Sequence, residues 1–350
     1  MLAKAGGESR GRSLLLNFSC LRSQPTGLGV YAQQILPYLQ DLHPWVLTPG
    51  ESTPPAHAHL RRLLWTQTTL PRIYRRVGAS LLFSPVPEAP IGAGCRFVVT
   101  VHDLIPLRFG PPTGKLAAYF RYFLPLVLHG AIAILCNSQT TATELQHHFA
   151  VPTAKLKVIP LACDRQRFQP SPLPPAPYFL YVGRADRHKN LAGLLQAFAQ
   201  LPWAGELWVA GPYDSRYTPV LQQLTQHLGL TQRVRWLQYV TAEALPGLYQ
   251  RAIALVMPSF WEGFGLPALE AMACGTPVIC AGVAGLAETT GKAALHIDPH
   301  CPAAIAAAMN SVLNDAGLRD RLRQAGLERA AQFSWEQTGR TTAQTLARLL

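Results

Sequence analysis

The sequence predicts an α/β protein made of two doubly wound domains, and three observations carry that expectation. Short apolar runs of the buried-strand type alternate with helix-forming stretches; residues 252–257, a glycine-broken loop, residues 268–274 and residues 277–280 read as strand, loop, helix and strand. Five prolines in the nine residues 169–177 interrupt this alternation and favour a stiff, extended connector. A length of 350 residues suits two domains, and 49% hydrophobic against 14% charged residues leaves enough apolar material for packed cores.

Composition excludes several classes. No uninterrupted apolar run is long enough to span a bilayer; the nearest, residues 124–136, is broken by His129 and Gly130. The first residues are polar and glycine-rich, and the run 14–16 is too short for a signal-peptide core. Seven cysteines without a C-x-x-C pair argue against a disulfide framework or a zinc site and fit a reducing cytoplasm. The net charge of +12 asks for an anionic partner. Nucleic acid is not expected, because no basic run is interleaved with aromatics in a known module. An anionic membrane surface and nucleotide phosphates both fit, and charge alone does not separate them.

In order along the first half, residues 1–10 read as disordered and residues 13–18 as the first strand. Thr26, Gly27, Leu28 and Gly29 form a Gly-x-Gly turn before a helix over 30–39, which offers backbone N–H groups to an anion. Residues 61–76 alternate basic and apolar residues at helical spacing, with Arg61 and Arg72 among the basic ones. A solvated face explains any one of these arginines equally well. Residues 81–83 and 96–101 are strands; the second ends in His102 and Asp103, where ligands gather in an open parallel sheet. A hydrogen-bonded core histidine is the plainer reading of His102, and loop-holding that of Asp103. Residues 114–129 read as one helix carrying Lys115, Arg121 and several aromatics, suited to a core or to a membrane surface. A strand over 131–136 leads to Ser138, which caps the next helix. Residues 157–164 hold the last strand before the proline-rich break.

The second half restarts with a strand at 178–182, a turn at Gly183 and Arg184, then Lys189 and a helix over 191–200. Arginine forks onto a phosphate and lysine adds a point charge. Strands at 206–210 and 234–237 follow, the latter leading to Tyr239 and Val240. A short strand at 294–297, helices over 301–313 and 318–331, and a last helix opening at 333–335 complete the chain.

The stretch 258–279 organises the second domain. Gly263 and Gly265 let backbone approach a ligand closely. The helix that follows, with Pro267 in its first turn, points N–H groups and partial positive charge at whatever precedes it. Glu262 and Glu270 supply two carboxylates that accept hydrogen bonds from hydroxyls. A ligand with phosphates in the middle and hydroxyl-rich rings at both ends satisfies this set, and a sugar nucleotide is such a ligand. The plainer alternative makes Glu270 a residue that caps the helix from its third position, and Glu262 a solvated loop residue.

The run from Glu262 through Gly-Phe-Gly-Leu-Pro-Ala-Leu to Glu270 resembles the E-x7-E signature of retaining GT-B glycosyltransferases of family 4. The runs from Tyr181 to Asn190 and from His102 to Leu107, and the Ser138 turn, are similar to other stretches of that family. The resemblance implies a GT-B fold: two Rossmann-like domains facing across a cleft, with an acceptor-side domain over 1–168, a linker over 169–177, a donor domain over 178–332 and a helix over 333–350 that crosses back. It further implies that Glu270 holds ribose hydroxyls, that Glu262 with the backbone of Gly263, Phe264, Gly265 and Leu266 holds the hexose, and that Tyr239 and Val240 hold the base through backbone groups. Arg184 and Lys189, with Gly183 and the Gly27–Gly29 turn, neutralise the diphosphate. His102 lines the active cleft, with Asp103, Arg61 and Arg72 on the acceptor side.

The implied reaction moves a hexose, mannose first, from GDP-mannose or else a UDP-sugar to a hydroxyl of a glycan or lipid-linked glycan, at the inner membrane face, with retention and by same-face attack. No cofactor and no metal are expected, since cations and helix ends meet the leaving charge. A nucleotide-sugar epimerase and a catalytically inactive sugar-nucleotide-binding protein are the alternatives. A nicotinamide enzyme is disfavoured because no Gly-x-Gly-x-x-Gly follows a strand.

Overall fold

The computed structural model describes residues 2–4, 13–19, 27–49, 59–110 and 114–350. The chain divides into two compact units, Met1–Leu161 with Trp335–Leu350, and Ala162–Ser334. The division thus falls at Leu161 and Ala162, and the proline-rich stretch 169–177 lies inside the second unit rather than between the two. It is tied there: Ala176 N–H donates to the Arg251 carbonyl at 2.7 Å, and the Gln250 side chain donates to the Gln169 carbonyl at 2.7 Å.

The first unit is built on β1 (Leu2–Lys4), β2 (Ser13–Asn17), β3 (Trp45–Leu47), β4 (Ala79–Ser84), β5 (Phe97–Val101), β6 (Ala133–Cys136) and β7 (Leu156–Val158). Their order in the sheet is β1-β3-β2-β4-β5-β6-β7. All neighbours are parallel except the edge pair β1 and β3. The strand at Leu2–Lys4 corrects the expectation of disorder for the first ten residues; the remainder of that stretch, and Thr26, lie outside the described residues. β5 is buried at every position, as a strand covered on both faces must be.

Helices α1 (Gly27–Leu39), α2 (His59–Arg76), α3 (Ile105–Phe109), α4 (Lys115–Ala118), α5 (Leu124–Gly130) and α6 (Gln139–Phe149) connect the strands. Two expectations change here. Gly27 and Gly29 form the first turn of α1 itself rather than a turn before it. The stretch read as one helix over 114–129 is broken by a π-helical segment, Tyr119–Phe123, between α4 and α5. Pro125, in the second position of α5, explains the break: it brings no N–H and its ring crowds the preceding turn, so the helix widens there.

The second unit carries β8 (Tyr178–Val182), α7 (Leu191–Ala199), β9 (Glu206–Ala210), α8 (Thr218–His227), β10 (Val234–Gln238), α9 (Leu245–Arg251), β11 (Leu255–Met257), α10 (Leu266–Ala273), β12 (Val278–Ala281), α11 (Ala284–Thr290), β13 (Leu295–Ile297), α12 (Pro302–Asn314) and α13 (Ala316–Ala331). The sheet order is β10-β9-β8-β11-β12-β13, all parallel. The order reverses between β8 and β11, and the crevice outside such a switch point is where ligands bind in open α/β sheets. The loops after these two strands carry Arg184, Lys189 and Glu262.

Helix α14 (Trp335–Leu349) belongs to the first unit and packs on α1. Thr338 of α14 donates to the Pro160 carbonyl at 2.8 Å.

Candidate functional site

The two loops at the switch point are tied together. Phe260 N–H donates to the His188 carbonyl at 2.7 Å, so the loop after β11 runs along the loop after β8. The β8 loop ends at Asn190, which is left-handed at φ 54° and caps α7 by accepting from Gly193 N–H at 3.2 Å. The Asn190 amide also donates to the Pro299 carbonyl at 2.7 Å. That double anchor fixes where Lys189 leaves the backbone. Its Nζ donates to both carboxylate oxygens of Glu262, at 2.6 and 2.8 Å. Ser259 Oγ donates to Glu262 Oε1 at 2.7 Å. Glu262 is only 6% exposed, and a carboxylate this buried needs such partners.

The glycine loop is held from behind by α11. Gly285 N–H donates to the Glu262 carbonyl at 3.1 Å, and Thr289 Oγ1 donates to the Phe264 carbonyl at 2.7 Å. Gly265, at φ 105°, is the N-cap of α10, a conformation that an L side chain resists. The first intrahelical bond of α10 runs from Ala268 N–H to the Gly265 carbonyl. The N–H groups ahead of it are those a helix start leaves for an anion.

Glu270 is the fifth residue of α10, beyond reach of a capping role at the third. It does not join the Lys189 cluster; its Oε2 accepts from Tyr249 Oη at 2.9 Å. Tyr249 sits on α9 and is fully buried. Burial raises the Glu270 carboxyl from 4.5 to about 7, against the opposing pull of the Tyr249 hydrogen bond and of Arg167.

Arg184 lies in a charge cluster. Its Nε is 3.2 Å from Asp186 and an Nη is 3.6 Å from Asp214. Arg216 shares both carboxylates, at 3.5 Å from Asp186 and 2.6 Å from Asp214. The Arg216 hydrogen bonds hold the Asp214 carboxyl down at about 2. Tyr181 Oη pins the Arg184 carbonyl at 2.9 Å. Beside this cluster a pocket opens at the carboxyl ends of β8, β9 and β10, lined by Gly183, Gly211, Tyr213, Gln222, Trp236 and Gln238. Gly211 packs so tightly that a Cβ on it would lie 1.9 Å from the Gly183 carbonyl oxygen. Tyr239, next after the lining residue Gln238, is an exposed residue, and Val240 is partly buried.

In the first unit His102 follows β5. Its Nε2 donates to the Pro85 carbonyl at 3.0 Å, since a carbonyl only accepts, which leaves Nδ1 as the acceptor nitrogen. Tyr31 packs edge-on at 5.0 Å. Burial lowers the His102 pKa from 6.5 to about 4, so the ring is neutral at pH 7. Asp103 Oδ1 accepts from Ile105 N–H at 3.0 Å and so holds its own loop. Arg61 and Arg72 are exposed on α2; it is Arg62 that pairs, with Glu88. Ser138 caps α6 by accepting from Thr141 N–H at 3.0 Å.

Two family models match the chain. Glycosyltransferase Family 4 matches residues 25–167 and Glycosyl transferases group 1 matches residues 164–329. The chain belongs to this glycosyltransferase family. It is 37% identical over 223 residues to O-antigen chain mannosyltransferase B of Escherichia coli, covering 60% of this chain and 58% of that protein. It is 34% identical over 241 residues to a D-inositol 3-phosphate glycosyltransferase of Salinispora arenicola, covering 61% and 54%. The chain thus spans just over half the length of these curated relatives. Among solved structures, sucrose-phosphate synthase of Thermosynechococcus elongatus superposes with a TM-score of 0.82 at 23% identity, over 97% of this chain and 99% of that one. HepE of Anabaena, solved in complex with UDP-glucose, superposes with a TM-score of 0.77 at 19% identity, over 97% and 100%. At these identities the likeness is one of fold, the GT-B fold.

Within this group 1 glycosyltransferase the structure brings Lys189 and Glu262 together and ties both loops at the switch point. It gives Glu270 and Arg184 separate partners. Several side chains around them escaped the sequence reading. Ser259, three residues before Glu262, carries no motif of its own. Tyr249 lies on α9, a helix the apolar pattern did not mark. Asp214 and Arg216 follow the Gly211–Pro212 turn that ends β9, and a strand end in such a sheet was the signal available. Among the described residues no group of three or more His, Cys, Asp or Glu side chains is placed to hold a metal ion. No described helix is long and apolar enough to cross a membrane.

Proposed function

We propose that this chain transfers a hexose from a nucleotide diphosphate sugar to a hydroxyl of a glycan or lipid-linked glycan, with retention at the anomeric carbon. The observation that carries the reading is the Lys189–Glu262 pair on tied loops at the β8–β11 switch point, one cation for a phosphate beside one carboxylate for a sugar. In this reading Arg184, Lys189 and the start of α10 meet the diphosphate, and Glu262 with the loop from Gly263 to Leu266 meets the hexose. Glu270 accepts from the ribose hydroxyls. The base enters the pocket at the ends of β8 to β10, beside the backbone of Gln238, Tyr239 and Val240.

The acceptor oxygen bonds to the anomeric carbon as the bond from that carbon to the diphosphate oxygen breaks. The bonding pair leaves with the diphosphate, which takes the acceptor proton on the same face. Fixed positive charge where negative charge develops is the principal stabilisation such a site offers, and it needs no metal. GDP-mannose is the first donor, in keeping with the mannosyltransferase relative, and a UDP-sugar the second, in keeping with the UDP-glucose complex of HepE. His102 acts at the acceptor side as a neutral hydrogen-bonding ring. An anionic membrane surface is the proposed docking partner of the segment from α4 to α5. There Leu116, Tyr122 and Leu126 are exposed beside Lys115 and Arg121, with no acidic residue from 114 to 130.

Thermal unfolding with GDP, UDP, ADP and their sugars, each in EDTA, tests the reading. A ligand that binds only the folded chain raises the midpoint by mass action. One nucleotide family should raise it; no rise with any of them removes the donor assignment. Transfer activity restored only by added magnesium would overturn the metal-free part.

A further inference from the structure

Lys189 commits two of its three ammonium N–H donors to Glu262 in the geometry of this chain. Its ammonium sits between both Glu262 oxygens at 2.6 and 2.8 Å, with the lysine side chain 19% and the glutamate side chain 8% exposed. A diphosphate arriving at this closed pair meets a cation already neutralised and a carboxylate beside it, which repels it. The lysine stem is flexible and the ammonium is a movable point charge. Arg184 differs. It is the more exposed cation, and Arg216 keeps hold of both Asp214 oxygens, at 2.9 and 2.6 Å, whether or not Arg184 stays. Releasing Lys189 instead leaves Glu262 buried with Ser259 as its remaining side-chain hydrogen-bond donor among the described residues.

Resting on the nucleotide-sugar reading above, we infer that Glu262 is the built-in counter-ion of Lys189, that the donor diphosphate draws Lys189 away, and that the sugar hydroxyls replace the lysine on the freed carboxylate. Donor recognition is then an exchange of partners. A sugar nucleotide satisfies both ends, because phosphate takes the ammonium and hydroxyls take the carboxylate. A nucleoside diphosphate satisfies only the first and strands a buried charge, which is costly. The site therefore prefers the complete donor, and after transfer the re-forming pair helps expel the product.

The experiment is calorimetric titration of the parent, Glu262→Gln, Lys189→Gln and the double variant with GDP and UDP, and with GDP-mannose and UDP-glucose. Glutamine keeps the acceptor for Ser259 and removes the competing charge. Glu262→Gln should bind the recognised nucleoside diphosphate about tenfold more tightly than the parent, the size of one lost charged competitor. Its preference for the sugar nucleotide over the diphosphate should shrink at the same time. On the Lys189→Gln background the gain should vanish. A folded Glu262→Gln protein with unchanged or weaker diphosphate affinity overturns the exchange while leaving the donor reading in place. A parent that binds neither nucleotide nor sugar nucleotide removes the donor reading itself, and the exchange with it. If glutamine prevents folding, Glu262→Ala, which removes the competing carboxylate altogether, gives the same contrast in diphosphate affinity.

Discussion

Glu270 carries a carboxyl that burial holds at about 7, well above its ordinary 4.5. The native chain therefore keeps a proton that the unfolded chain gives up, and this group's contribution to stability is lost as pH rises from about 4.5 to about 7. Glu270→Gln removes that penalty. Its unfolding free energy should match the parent near pH 4.5, gain on it up to about pH 7, and then keep a constant lead of about 3 kcal/mol. A lead that is flat across this range, or that shrinks, refutes the assigned shift; thermal unfolding in a pH series measures it. The same variant should lose nucleotide-sugar affinity if ribose hydroxyls need the charged acceptor. At the other end of the site, Arg184→Ala with Lys189→Ala should lower turnover by two orders of magnitude or more, since fixed charge at a developing anion is a large term. Steady-state kinetics with near-normal turnover would remove the clamp. The identities of these four side chains were legible from motif spacing. Their partners were not: Ser259, three residues before Glu262, belongs to no motif, and Tyr249 reaches Glu270 from another helix.

At the scale of elements, the glycine loop depends on α11. A Cβ on Gly285 would lie 2.3 Å from the Gly263 carbonyl oxygen and 2.8 Å from that of Glu262. Gly285→Ala must therefore push the backbone that carries Glu262. Overpacking of this kind costs about 1–3 kcal/mol, and on the proposed function a shifted Glu262 loop should lower turnover about a hundredfold. Denaturant unfolding and kinetics on one preparation check both; unchanged turnover would mean that α11 does not set the loop. Strands such as β5 and β8 could be read directly, because burial on both faces demands a continuous apolar run. Helix α11 was missed for the opposite reason: Ala284–Thr290 has little amphipathic contrast, and its place against the glycine loop comes from packing. The π segment at Tyr119–Phe123 answers to Pro125, whose effect on the preceding turn appears only once the helix is built.

For the whole molecule, the last helix belongs to the first unit although it follows the second in sequence. Its Trp335, Thr342 and Leu346 are buried, and α14 packs on α1. Deleting residues 335–350 strips that face from the first unit alone. Scanning calorimetry should then show a transition lowered by several degrees, while a second transition, that of the other unit, keeps its temperature; equal lowering of both would contradict this assignment. By itself the sequence determined the α/β class, the succession of strands, the place of Glu262, Lys189 and Glu270 on loops or helix starts, and the family resemblance. Those properties follow from local periodicity, glycine placement and residue spacing. Only the tertiary structure decided that the proline-rich stretch lies within the second unit, that Lys189 is already paired with Glu262, and that Glu270 is buried against a tyrosine that donates to it. Each of these depends on which distant residues meet and on how far they are withdrawn from water, and both are set by packing of the complete chain.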